Sequence, residues 1–143
     1  MTWRPHAYDH DPATTSYGLE AAQALGVEPA RVLKTLLVQV DGGGLAVAVL
    51  AVDRQLDLKA VAATLGGKRA VMADPAVAER STGYVVGGIS PLGQRRALPT
   101  AVDEQALTHA TVYVSGGRRG LDVELSPHDL VDLTRALTAA ISR

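Results

Sequence analysis

Four groups of residues in this 143-residue chain have types and spacings that could do chemistry. The first is Lys34, a single ammonium inside the apolar run "RVLKTLLVQV" (31–40), with Thr35 beside it. Burying a cation without a partner is costly, so Lys34 either snorkels to solvent from an edge strand or stands at the mouth of a pocket that supplies oxygens. The second is "GYVVGGISPLG" (83–93), with four glycines in eleven residues and Ser90-Pro91 between them. Such a run suits a bulge at a sheet corner, or a bend whose N–H groups converge on a carbonyl or oxyanion. The third is a set of dibasic pairs, Lys68-Arg69, Arg95-Arg96 and Arg118-Arg119, each one or two positions after a glycine. They are solvated loop charges, or a basic rim for phosphates if the fold gathers them. The fourth is His6, Asp9, His10 and Asp11, which fit no metal-ligand template and read as a surface loop.

What is missing narrows the chemistry further. There is no Cys, hence no disulfide, thiolate metal site or cysteine nucleophile. No HExxH, P-loop or GxSxG elbow occurs, and nothing pairs a Ser, His and Asp into a triad. No metal and no cofactor is expected. A net charge of −1 gives no global attraction to nucleic acid or anionic membrane, so any such contact must be local. No stretch approaches the ~20 apolar residues of a membrane span, and "MTWRPHAYDHDP" lacks the apolar core of a secretory signal, so a cytoplasmic location is expected.

The elements that must position these groups follow from periodicity. Residues 1–13 are polar and read as irregular, with a short extended piece near Tyr8. Leu19, Ala22 and Leu25 suggest a helix closed by Gly26. Period-2 spacing makes a strand of 31–40, with Val32, Lys34, Leu36, Val38 and Val40 on one face and Leu33, Thr35, Leu37 and Gln39 on the other. "DGGG" (41–44) turns it into a second buried strand, "LAVAVLAV" (45–52). A helix is expected over 56–67 with Asp57 near its start, and another from Asp74-Pro75 to about Arg80. The glycine run opens as a strand at Tyr84 before it bends. "LPTAVDE", "ATVYVS" and "GLDVELS" read as three more strands, the last two joined by a turn carrying Arg118 and Arg119 at its tip. Ser126-Pro127 caps a closing helix with an apolar stripe of Leu130, Leu133, Leu137 and Ile141. Strands dominate without βαβα alternation, which predicts one α+β domain over 1–143, built on a curled mixed sheet or partly closed barrel flanked by helices.

Taken together, the runs "YDHDP" (8–12), "ARVLKTLLV" (30–38), "QLDLKAVAATLGGK" (55–68), "MADPAVAERSTGYVVGGISPLGQRRALPT" (72–100) and "TVYVSGGRRGLDVELSPHDL" (111–130) resemble the YbaK-type family of free-standing aminoacyl-tRNA deacylases. That family is similar to the editing domain inserted in bacterial prolyl-tRNA synthetases. The resemblance implies clearance of mischarged tRNA, foremost cysteine esterified to proline tRNA, with Ala-tRNA(Pro) as an alternative substrate. A non-catalytic module that binds the tRNA end or a synthetase is the rival from another class. The family's lysine matches Lys34 and its glycine loop matches Gly87, Gly88, Ser90 and Pro91. Its pocket tyrosine matches Tyr8, and an aromatic position matches Tyr17, where relatives often carry Phe. Thr35, Ser115 and Asp122 fall on further positions around the substrate. The resemblance also implies a mechanism in which the substrate's own thiolate attacks its ester, and transient partnership with prolyl-tRNA synthetase, which supplies the tRNA recognition. Relatives usually carry an additional helix and part of a strand ahead of the Tyr8 match.

Overall fold

The computed structural model of the chain describes residues 2–143. Among the described residues, eight strands and four α-helices follow one another as β1 (Trp3–Ala7), α1 (Tyr17–Leu25), β2 (Leu33–Val40), β3 (Gly44–Ala51), α2 (Leu58–Thr64), β4 (Ala70–Met72), α3 (Pro75–Thr82), β5 (Thr100–Asp103), β6 (Val112–Arg118), β7 (Leu121–Leu125), α4 (Pro127–Thr134) and β8 (Leu137–Ala139). Short 3₁₀ turns at Pro29–Arg31 and Glu104–Thr108 link the pieces.

The strands form two sheets, a mixed one in the order β4-β2-β3-β5-β8 and an antiparallel one in the order β1-β7-β6. The α+β reading holds, whereas among the described residues no closed barrel is found: backbone pairing joins the two sheets only at one parallel bridge, Val32 to Tyr113. Alternation along β2 and β3 distributes side chains to two cores, as period-2 geometry requires. Leu33, Leu37, Val47 and Val49 pack toward Val112, Val114 and Leu125 of the other sheet and Leu130 of α4. Val38, Ala46, Ala48 and Leu50 pack against Val61 and Ala62 of α2, and on Ile141. A third, smaller cluster sets Ala21 and Ala22 of α1 on Val32 and Tyr113.

Helix ends fall where side-chain caps allow. Asp57, Asp74 and Ser126 accept the N–H of Ala60, Ala76 and His128, so three helices start at the expected residues. Gly26 and Gly83 close α1 and α3 in the left-handed conformation.

Four expectations are corrected. Residues 3–7 are an edge strand, not irregular, because β7 offers its free side and pairs Trp3 with Leu125 through Ala7 with Leu121. Its side chains stay mostly exposed, so no apolar alternation betrays it, and Pro5 is tolerated on an edge. The run from Tyr84 opens as a turn, not a strand. Gly116, Gly117 and Arg118 belong to β6 itself, with a bulge between Ser115 and Arg118. The closing helix stops at Thr134: Arg135 turns left-handed (φ 53°), and 137–139 instead add a parallel strand to β5. Buried Asp103 secures that strand by accepting the Ile141 N–H and the Ser142 hydroxyl.

Candidate active site

β2 is paired with β3 along its whole length, but β4 covers its other side only at Val38–Val40, and the β6 bridge only at Val32. The Ala73 N–H bonds to the Leu37 carbonyl, so odd-numbered residues of β2 turn their backbone groups toward that side. Thr35, two residues back, therefore presents its N–H and C=O at an uncovered strand edge. A cavity of about 420 Å³ opens there, within the range of small-ligand sites.

Each wall comes from a different element. β2 contributes Lys34 and Thr35, and the start of α1 contributes Tyr17, Gly18 and Leu19. Tyr8 enters from the chain after β1, Ser115 and Asp122 from β6 and β7, and Val86, Gly87 and Ile89 from the glycine bend. The structure thus brings together Lys34, Tyr8, Tyr17, Thr35, Gly87, Ser115 and Asp122.

Lys34 is half-buried and makes no ion pair among the described residues. Desolvation lowers its pKa, opposed by the carboxylate of Asp53. Asp122 is 5% exposed with no hydrogen-bond partner among the described residues; burial pushes its pKa up to about 7, against a smaller opposing influence from His6 across the β1–β7 pair. The Thr35 hydroxyl is buried without a partner. Tyr8 is also raised, first by burial and then by Asp122, while its N–H is held by the Gly120 carbonyl at 2.9 Å. A cation, a carboxyl whose ionisation burial opposes and a hydroxyl, none with a hydrogen-bond partner among the described residues, therefore line one cavity. Unsatisfied buried polar groups cost stability, and a ligand that pairs them recovers it.

The glycine bend is a turn closed by the Gly88 N–H on the Val85 carbonyl at 2.9 Å, with Gly87 at φ +85°. Positive φ at the third residue is the type II signature. A Cβ on Gly87 would stand 2.5 Å from the Tyr17 ring, and one on Gly88 would stand 2.9 Å from the Arg118 backbone. The two glycines thus serve different needs, Gly87 against an aromatic wall and Gly88 against the β6–β7 hairpin. Because the Gly88 N–H closes the turn, it is not free to hold an oxyanion; the Gly87 N–H has no partner among the described residues. Ser90 and Pro91 are buried and do not line the cavity. Ser90 Oγ accepts the Leu92 N–H and the Ser90 carbonyl accepts Gln94 Nε2.

The dibasic pairs are not gathered. Lys68 and Arg69 donate their N–H groups to Asp41, seven residues beyond Lys34 along β2, or ~23 Å at ~3.3 Å per residue. Arg95 lies against the end of α3 at Gly83, with Arg96 exposed beside it. Arg118 is exposed on the hairpin, and Arg119 turns inward. His6 and His10 pair with Glu124 and Glu20 and do not line the cavity.

Sequence reasoning missed Val86 and Ile89 as walls, and Glu79, whose carboxylate accepts the Val86 N–H at 2.8 Å. It also missed Gly18, where a Cβ would strike the Val52 side chain. A glycine in the first turn of a helix was the available signal for that close approach.

A two-sheet α+β fold with a largely apolar cavity at a strand edge, into which Lys34, Thr35, Ser115 and Asp122 bring the polar groups, defines a small-ligand binding domain. The family model of the aminoacyl-tRNA editing domain matches residues 10–133, and the chain belongs to that family. An Enterococcus faecalis protein carrying the provisional name Cys-tRNA(Pro)/Cys-tRNA(Cys) deacylase EbsC is 37% identical over 121 residues, 85% of this chain and 74% of its own. The Multifunctional Ser/Thr-tRNA deacylase ProXp-y of Escherichia coli is 38% identical over 73 residues, 49% of this chain and 44% of its own. Among solved structures, one provisionally described as a trans-editing enzyme for prolyl tRNA synthetase superposes with a TM-score of 0.86 at 28% identity, covering 99% of this chain and 87% of the other. Hypothetical protein APE2540 superposes at 0.89 and 32% identity, covering 100% and 93%.

Proposed function

We infer that this protein is a trans-editing aminoacyl-tRNA deacylase that clears Cys-tRNA(Pro). Family membership and the similarity to a protein named as a Cys-tRNA(Pro)/Cys-tRNA(Cys) deacylase support the class. The observation that supports the chemistry is the cavity that Lys34 and Asp122 both line with no ion pair among the described residues. An aminoacyl ester on a terminal adenosine offers a matching pair of groups, an α-ammonium for ionised Asp122 and ester or phosphate oxygens for Lys34. Thr35 supplies a hydroxyl and an open strand edge to the same group. Tyr8, Tyr17 and Ser115 complete the walls.

The attacking atom comes from the substrate. Its thiol gives up a proton, the thiolate sulfur bonds to the ester carbonyl carbon, and the C–O bond to the adenosine breaks. That oxygen takes a proton, leaving free tRNA and a cyclic thiolactone, which water then opens. Holding thiolate and ester together can offset ~7–11 kcal/mol of the barrier through effective molarity. The Gly87 N–H and Lys34 stabilise charge developing on oxygen, at a few kcal/mol for a well-placed donor.

The whole chain acts as one editing domain in the cytoplasm, where its substrate is made. Prolyl-tRNA synthetase is the transient partner that supplies tRNA selectivity, since Arg95, Arg96 and Arg118 offer only a local basic surface. Lys68 and Arg69 reach phosphate only where the tRNA body extends along β2.

The test is single-turnover deacylation over a panel of Cys-, Ala-, Ser- and Thr-charged tRNAs, with the released species identified by mass. Cys-tRNA(Pro) is expected to be emptied fastest, with thiolactone detected, and Lys34→Ala to lose at least ~100-fold. Equal clearance of Ser-tRNA would eliminate self-attack, preference for Ala-tRNA(Pro) would reassign the substrate, and retention of every acylated tRNA would leave a binding module.

A further inference from the structure

Arg119 reads in the sequence as half of a dibasic pair, but its guanidinium faces into the fold. Nε and Nη2 both donate to the Val86 carbonyl, at 2.8 and 2.6 Å, and its Cζ lies 4.4 Å from the centre of the Tyr17 ring. It is half-buried and does not line the cavity, whereas Val86, Gly87 and Tyr17 do.

We propose that Arg119 is a positioning residue, which by gripping the Val86 carbonyl fixes the Val86–Gly87 peptide so that the Gly87 N–H is offered to the substrate's ester oxygen. The inference rests on the deacylase reading for its last clause, and on geometry for the rest.

In a four-residue turn the central peptide can rotate by about half a revolution, which interconverts types I and II with little change to the flanking chain. Glycine at position 87 makes both forms accessible. The Glu79 carboxylate holds the Val86 N–H at 2.8 Å, and the Gly88 N–H is held by Val85 at 2.9 Å, but neither bond involves the central peptide. Arg119 alone among the described residues grips it. In a trans peptide the C=O and N–H point in opposite directions. A carbonyl drawn toward Arg119, outside the cavity, therefore sends the Gly87 N–H the other way. A cation on the carbonyl also polarises the amide and strengthens its N–H as a donor. The Tyr17 ring attracts the guanidinium, whose Cζ lies 4.4 Å from its centre, and closes the near side of Gly87.

This assignment and a phosphate contact make opposite kinetic forecasts. The experiment compares wild type, Arg119→Gln and Arg119→Lys in single-turnover deacylation of Cys-tRNA(Pro) across a salt series, with the Gly87 amide followed by 1H–15N NMR without tRNA. Arg119→Gln is expected to lower the rate constant at saturating enzyme about 10–100-fold. The enzyme concentration for half-saturation and its salt slope stay within about twofold of wild type, and the Gly87 amide resonance moves. Arg119→Lys recovers part of the rate, and added guanidinium partly rescues Arg119→Gln. An unchanged rate constant with weaker half-saturation and a log–log salt slope reduced by about one would make Arg119 a phosphate contact. An unmoved Gly87 amide in a folded variant would equally overturn the proposal. Should Arg119→Gln not fold, the same readings on Arg119→Lys decide. If wild type clears no aminoacyl-tRNA, the deacylase reading falls, and the Gly87 amide alone settles whether Arg119 orients the turn.

Discussion

Burial lifts the Asp122 carboxyl to about 7, and this ties the stability of the fold to pH. Its ordinary value of 3.8 rises to about 7 in the folded chain, so between those pH values the folded state holds a proton that the unfolded state has released. Stability therefore falls as pH rises from about 4 through 7, where the buried carboxylate must ionise. Asp122→Asn removes that cost. We expect the variant to match wild type below pH 4 and to exceed it above pH 7, by no more than ~4 kcal/mol, in urea melts. Deacylation should drop in the same protein. A stability difference that ignores pH would sink the assignment. Gly87 carries a second test, because a methyl there meets both the Tyr17 ring and a φ of +85°. Gly87→Ala should cost about 1–3 kcal/mol. Tyr17→Ala on that background should relieve the collision but not the backbone strain, which a double-mutant cycle of denaturation midpoints would resolve.

At the scale of elements, the chemistry depends on how β2 is covered. The strand itself was legible, since its alternation and the intrusion of Lys34 are written in adjacent residues. So were the starts of α2, α3 and α4, because Asp57, Asp74 and Ser126 bond within their own first turns. The misread elements have their causes elsewhere in the chain. Leu130, Leu133, Leu137 and Ile141 carry helical spacing, yet the free side of β5 takes 137–139 as a strand. The inward turn of Arg119 and the depth of Asp122 likewise depend on Val86 and on β1, far off in sequence. Asp103 shows how such a distant cause is enforced. Asp103→Ala would strand the Ile141 N–H and release Ser142, and we expect a loss of about 2–3 kcal/mol with early hydrogen exchange in β8. Unchanged protection of Ile141 would show that β8 holds without it.

For the whole molecule, the distribution of charge matters more than its sum. A chain of net charge −1 whose dibasic pairs lie apart should bind free tRNA weakly and with a shallow salt dependence. Replacing Lys68 and Arg69 together should alter single-turnover clearance less than replacing Arg118, because the former sit ~23 Å along β2 from Lys34. The reverse order, measured at fixed salt, would place the tRNA body across the far end of the sheet. Adding prolyl-tRNA synthetase should sharpen selectivity for proline tRNA without changing the intrinsic rate constant.

The gap beside Thr35 has a mechanical consequence. The molecule leaves one seam of its framework unzipped, and the cavity opens on that seam. An extended occupant that met the Thr35 N–H and C=O would continue the ladder of the mixed sheet, so the frame gains a rung whenever that seam is filled.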